Sequence, residues 1–247
     1  MSDEKASAAI AAKTGVSFDG THSYTAWGLR LKRVSIGVPQ AKTCYVDVPG
    51  MNGQLDLTEA QNGGIRYGMR KLEFAFDALD CTYEKWTWLL SKIAKALHGR
   101  KCRIILDDDS DYYYSGRCAV STSKSNYSKA EIVIECNCDP YKLSVLSSDE
   151  PWKWDTFNFI DGVIRQTSDI AINSANDWQL VKLEGYVYNE TIKIVSNADM
   201  RMKYRNSEFS IVTGENIMYD VELYEGENDL YFKGVGVLTI VHRGGMI

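Results

Sequence analysis

The chain has 247 residues, 45% of them apolar and 25% charged, with only 4 prolines, a profile that fits globular protein and excludes a disordered or fibrous repeat. Its net charge of −5, with basic residues scattered along the sequence, leaves no electrostatic footprint for stable nucleic-acid binding. No apolar stretch approaches the ~20 residues that cross a bilayer, and the start at Met1 to Lys5, followed by an Ala-rich stretch broken at Lys13, does not read as a signal peptide, so no membrane role is expected.

The first punctuation mark is Asp47-Val48-Pro49-Gly50-Met51-Asn52-Gly53, where Pro49 fixes φ, Gly50 and Gly53 permit φ > 0 and Asn52 tolerates the left-handed region. A tight reversal with Pro49, Gly50, Asn52 and Gly53 as its structural residues is expected there. Lys71 to Phe76 reads as a strand. From Tyr83 to His98, Trp86, Leu89, Leu90, Ile93 and Leu97 recur at three-to-four-residue spacing, which predicts an amphipathic helix over 83–98. Thr82 can cap it, Gly99 can end it, and His98 lies near the negative end of its dipole. Arg103 to Asp107, the turn formers Asp108, Asp109, Ser110 and Asp111, and Tyr112 to Tyr114 predict a β-hairpin over roughly 103–117. Ala130 to Cys138 alternates, with Ile132, Ile134, Cys136 and Cys138 on one face.

All six cysteines precede Asp139-Pro140, and the polar stretch from Tyr141 to Pro151 reads as a junction, giving expected domains at 1–146 and 147–247. Beyond it, strand-like runs at 179–188, 191–195, 208–213, 218–224, 230–232 and 235–242, separated by Asn, Asp and Gly, predict an antiparallel β-sandwich. The expected fold class is mainly β: an α+β first domain with one principal helix, then an all-β second domain.

Candidate chemistry is sparse. Asp107, Asp109 and Asp111 have the alternation that opens a calcium loop, but Tyr112 stands where that loop needs Gly and Cys118 where it needs Glu. Cys136 and Cys138 share a strand face that Cys102 or Cys118 could join around zinc, yet the usual two-residue spacer is absent. Packed free thiols of a protein made in a reducing compartment are the plainer reading. His22, His98 and His242 have no nucleophile motif nearby, and Gly234-Val235-Gly236 lacks the rest of a dinucleotide fingerprint. Asn126 and Asn189 open glycosylation acceptor patterns that a chain without a secretion signal would not use. Trp152, Trp154 and Trp178 are candidates for stacking on sugar, against core packing. No enzyme activity, cofactor or metal is expected.

The order of these segments resembles the distal tail proteins of siphophages, the Dit family. The resemblance is carried by Val16-Ser17-Phe18-Asp19-Gly20, Trp27-Gly28-Leu29, the Asp47-Val48-Pro49-Gly50 turn with Leu55-Asp56-Leu57-Thr58 after it, Tyr67, the strand at 70–76, the helix ending at Gly99 and the acidic hairpin at 107–117. Cys138-Asp139-Pro140-Tyr141-Lys142 and the turn Gly226-Glu227-Asn228-Asp229-Leu230 complete it. A 14-residue N-terminal extension departs from the pattern. The resemblance implies a structural virion protein: a homohexameric ring of N-terminal domains around a channel for DNA in transit, with galectin-like C-terminal domains. Its implied partners are the tail tube protein, the tail-tip or tail-associated protein and receptor-binding proteins. It implies assembly in the host cytoplasm and a final place in the virion tail. The rival reading is a carbohydrate-binding module recognising host-surface glycans.

Overall fold

The structure is a computed structural model that describes residues 14–60, 64–78, 83–126, 129–150, 167–185 and 191–247. The chain divides into two compact units, Met1–Lys142 with Ile247, and Leu143–Met246. Both are antiparallel β, as the composition and patterning predict.

In the first unit the strands β1 (Val16–Phe18), β2 (Thr21–His22), β3 (Leu29–Ile36), β6 (Arg70–Ala78), β7 (Lys101–Leu106), β8 (Tyr112–Asn126) and β9 (Lys129–Cys138) lie in the order β2-β1-β7-β8-β9-β6-β3. A two-residue pair, β4 (Tyr45–Val46) with β5 (Leu55–Asp56), stands apart from that sheet. A short helix α1 (Ser23–Trp27) is capped by the His22 side chain and stopped by Gly28. The helix α2 (Tyr83–Leu97) carries the expected stripe: Trp86, Leu89, Ile93 and Leu97 are buried, and the chain turns out of it at Gly99 with φ 75°. Thr82 lies outside the described residues.

The core follows from strand alternation. Leu72, Phe74 and Phe76 on β6 face Cys136, Ile134 and Ile132 on β9 across the ladder, and all six are fully buried in one cluster with α2. On the opposite face Glu73 and Glu135 are partly exposed and pair with Arg33 at 2.7 Å and Lys71 at 2.6 Å, while Ala75 is buried. One face apolar and one face ionic is the pattern of an antiparallel sheet with one solvated side.

Four cysteines occupy that apolar face. Cys102, Cys118, Cys136 and Cys138 are buried, and Cys118 and Cys136, opposite each other in register, bring their sulfurs to 2.9 Å. Burial pushes the Cys102 and Cys138 thiols up to about 12, and the bond to Cys118, with burial, raises Cys136 as well. An acid whose folded pKa is raised stabilises the fold below its unfolded pKa of about 9, and that stability disappears as pH climbs through the folded value. The thermal stability of the first unit should therefore fall between pH 9 and 12, by up to about 1.4 kcal/mol per pH unit for each of these two raised thiols. Burial of Tyr114 acts in the same direction. A melting temperature that stays flat to pH ~11 would refute this, and a Cys138→Ala variant should show a shallower decline.

The second unit holds β10 (Lys142–Ser144) from Leu143 on, β11 (Ile170–Gly185), β12 (Thr191–Ser196), β13 (Met200–Tyr204), β14 (Ser207–Ile211), β15 (Gly214–Glu222), β16 (Gly226–Val241) and β17 (Gly245–Met246). Six of these form one sheet. β12 and β13 follow each other along one side of β16, β14 pairs with β13, β15 pairs with β12, and β11 lies on the other side of β16. Each long path is interrupted midway: β11 by a bulge between Ser174 and Gln179, the others near Asn197–Asp199, Val212–Thr213 and Gly234–Gly236. Both halves contribute to one core that includes Ile192, Met202, Leu230, Phe232 and Ile240, and strands that bend at bulges are how a sheet wraps its own apolar face.

The structure revises three details. The runs at 230–232 and 235–242 are one strand, β16, passing through Gly234 and Gly236. Met200–Tyr204 is a strand that the periodicity did not single out. His22, outside every element read from the sequence, ends β2 and caps α1.

Candidate assembly surface

Strands β3 and β6 are neighbours, yet 33 residues separate Ile36 from Arg70. That excursion leaves the sheet as an arm. The ladder continues past its last registered pair, Ile36 with Leu72, through Gly37 N–H to Lys71 C=O at 2.8 Å, Gly68 N–H to Gln40 C=O at 2.8 Å and Lys42 N–H to Arg66 C=O at 2.7 Å. It reaches the β4–β5 pair, where Leu57 N–H donates to Cys44 C=O at 2.8 Å. The base is fixed by Arg70, which is buried, lies over the Tyr114 ring and donates to Gly37 C=O at 3.0 Å and Pro140 C=O at 3.2 Å.

The tip of the arm is the Pro49 turn. Met51 N–H donates to Val48 C=O at 3.1 Å, Gln54 Nε2 to Asp47 at 3.0 Å, and Gly50 and Gly53 have φ of 82° and 79°. An L side chain at Gly50 would meet open space, so Gly50→Val would be strained through its backbone alone, by about 1–2 kcal/mol. Asn52 is not among the described residues with positive φ.

What distinguishes the arm is apolar exposure. Every residue from 40 to 56 is exposed, and they include Tyr45 at 54%, Met51 at 47%, Val46, Val48 and Leu55; Val38 at the base is 78% exposed. Isolated exposed apolar residues are ordinary, but a cluster of this kind on a two-stranded ribbon marks a contact surface, because such a ribbon is marginal alone in water. Beside the β4–β5 pair, Ala41, Tyr45, Asp56, Thr58, Glu59 and Ile65 line a hollow of about 410 Å³. Bonds from the Thr58 hydroxyl and N–H hold the Asp56 carboxyl below its ordinary pKa, so it stays ionised.

The other sequence candidates do not converge. Asp107 accepts from Gly15 N–H at 2.8 Å and lies 3.0 Å from His22, and Asp109 pairs with Lys142 at 2.6 Å. Asp111, raised by burial and by Asp109, sits in the exposed turn. Among the described residues no group of three or more His, Cys, Asp or Glu is arranged to hold a metal ion. Trp178 is half-buried beside the β11 bulge, while Trp152 and Trp154 lie outside the described residues. His98 accepts from Val120 N–H at 3.1 Å, and His242 is buried. No described helix is long and apolar enough to cross a membrane. Sequence reasoning found the turn at the arm's tip but missed the arm, whose signal is apolar residues that alternate without any second strand run close enough to cover them.

Comparison of the fold with solved structures identifies a counterpart spanning almost the whole molecule. The crystal structure of Dit from phage SPP1 matches with a TM-score of 0.60 over 95% of this chain and 99% of that one, at 13% sequence identity. The chain has a Dit-like fold. The SPP1 protein is described as a paradigm of the hub adsorption apparatus in phages that infect Gram-positive bacteria. No protein-family model and no curated protein sequence matches the chain, so the Dit-like fold is visible in the arrangement of its strands and not in overall sequence identity.

Proposed function

We propose that this protein is a non-enzymatic tail hub: a ring of six copies that joins a phage tail tube to the tail tip and its receptor-binding proteins, leaving a central channel for DNA. The Dit-like fold over 95% of the chain carries this reading, and the uncovered arm supports it by supplying a surface that needs a partner. The N-terminal domain, residues 1–146, forms the ring, with the turn Pro49, Gly50, Asn52 and Gly53 presenting the arm's tip. The second unit, with a galectin-like role for residues 147–247, faces the adsorption apparatus. A net charge of −5 suits a conduit that repels phosphate and does not retain a passing genome.

The test is the mass of the purified protein in solution, with negative-stain imaging. The expected result is a particle six times the 27.8 kDa chain mass, six-fold symmetric with a central opening. A closed dimer would overturn the reading, because a two-fold interface uses one self-complementary patch and builds no ring. A stable monomer that bound glycans through Trp178 would favour the carbohydrate-binding reading instead.

A further inference from the structure

The buried cysteines of the first unit are not equivalent. Cys118 directs both of its backbone groups to one side: its N–H donates to Arg100 C=O at 2.9 Å, and its C=O accepts from Gly99 N–H at 2.8 Å. Toward β9 it therefore faces Cys136 as a non-hydrogen-bonded pair, the kind in which opposed Cα atoms lie about 4.5 Å apart. A disulfide spans Cα separations of roughly 4.4–6.8 Å, so this pair needs no backbone movement to join. Its sulfurs are already 2.9 Å apart, with Cys136 donating its S–H to Cys118.

No other pair among the described cysteines has that geometry. Cys102 and Cys138 both face Gly116, from opposite sides, so Cys102 lies two strands, roughly 10 Å or more, from both Cys136 and Cys138. The same placement makes Cys102 and Cys138 diagonal neighbours of Cys118, about 7–8 Å away. Cys136 and Cys138 are about 7 Å apart along one strand with parallel Cβ directions, and Cys44 is exposed on the arm.

We propose that Cys118 and Cys136 are a latent cross-strand disulfide, closed in the folded protein by a peroxide-class oxidant while Cys102 and Cys138 stay thiols. The hydrogen bond from Cys136, with another from Cys102, holds the Cys118 thiol below its ordinary pKa in spite of burial, which makes Cys118 the nucleophile. Its thiolate sulfur attacks one peroxide oxygen and the O–O bond breaks. Hydroxide leaves and takes up the Cys118 proton as water, giving a sulfenic acid at Cys118. The Cys136 sulfur then attacks the sulfenic sulfur: the S–S bond forms, the S–O bond breaks, and hydroxide leaves with the Cys136 proton as a second water. The two sulfurs together lose two electrons, which reduce one peroxide to two waters.

Peroxide is small enough to enter by local opening of the strands. On the hub reading, the chain meets such an oxidant when it leaves the reducing compartment in which it folded, so the bond ties β8 to β9 after assembly. The chemistry itself does not depend on that reading.

The test exposes the folded full-length protein, in a Cys44→Ala background that removes the exposed thiol, to dilute hydrogen peroxide. Remaining thiols are blocked in denaturant and the peptides are mapped without reduction. The expected product is a peptide pair joined through positions 118 and 136, about 2 Da lighter than its separate parts and split by a reductant. The melting temperature of the first unit should rise by at least about 5 °C on oxidation and return on reduction, and Cys136→Ala should show no rise. The map requires neither cysteine of the pair to be replaced. Treated protein in which Cys118 and Cys136 are still thiols, in which Cys118 ends as a sulfinic acid, or in which the bond joins another pair overturns the proposal. The ring is tested separately, by the particle mass.

Discussion

Gly116→Val is expected to prevent the first unit from folding while the second unit still folds. Gly116 on β8 lies between Cys102 on β7 and Cys138 on β9. A Cβ there would collide with Cys138 Sγ and come within 2.7 Å of Cys138 Cα and 2.8 Å of Asn137 O. Two of these obstacles are backbone atoms of a central strand, which cannot move without breaking the β6–β9 ladder, so the cost should exceed the ~4–5 kcal/mol that marks exceptional substitutions. Both described helices belong to the first unit. Circular dichroism should therefore lose its helical component, while calorimetry retains one cooperative transition. Gly64→Ala, where a Cβ meets nothing within 4 Å, is the control and should be silent. A Gly116→Val protein with wild-type helicity would show that β8 and β9 do not pack as described.

Asn228→Asp should have the second-largest effect, confined to the second unit. Asn228 is buried at the start of β16, and its amide is fully used. Its oxygen accepts from Tyr204 Oη at 2.8 Å and Tyr224 N–H at 2.9 Å; its nitrogen donates to Tyr224 C=O at 2.7 Å and Gly226 C=O at 2.9 Å. A carboxylate keeps the two acceptor roles, loses both donors and turns a buried negative charge toward two carbonyl oxygens. Losing two buried partners and burying a charge should cost at least about 3 kcal/mol. The measurement is the thermal transition of the second unit. Lowering the pH, which reprotonates the introduced carboxyl and restores one donor, should recover part of the loss. An unchanged transition at neutral pH would mean that the turn is open to water.

Much of the core was legible in the sequence because it obeys simple periods. Ile132, Ile134, Cys136 and Cys138 alternate through β9, and Trp86, Leu89, Ile93 and Leu97 repeat along α2, so burial of one face was readable without coordinates. Gly234 and Gly236 misled for a physical reason. Glycine usually punctuates a chain, but here β16 runs through both residues because Met200 packs where a Cβ at either position would stand. Met200–Tyr204 escaped notice because five residues with charges at Arg201 and Lys203 look like a solvated connection until Met200, Met202 and Tyr204 are seen buried. The arm shows a deeper limit. Val46, Val48 and Leu55 carry the same apolar signal as core residues, and a single chain's pattern cannot distinguish apolar residues that the fold buries from those it leaves exposed.

The order in which the first sheet closes has a consequence for synthesis. β6 is complete at Ala78, but its inner neighbour β9 ends at Cys138, and β1 waits for β7. At the usual 5–20 residues per second, a ribosome needs roughly 3–12 s to deliver those ~60 residues. Through that interval the nascent chain displays Leu72, Phe74 and Phe76 beside an unpaired strand edge, the state that holdase chaperones recognise and that aggregates when they are scarce. Soluble yield is then governed by how long this window stays open, and slowing initiation so that fewer unfinished chains coexist should raise it without any change to the sequence.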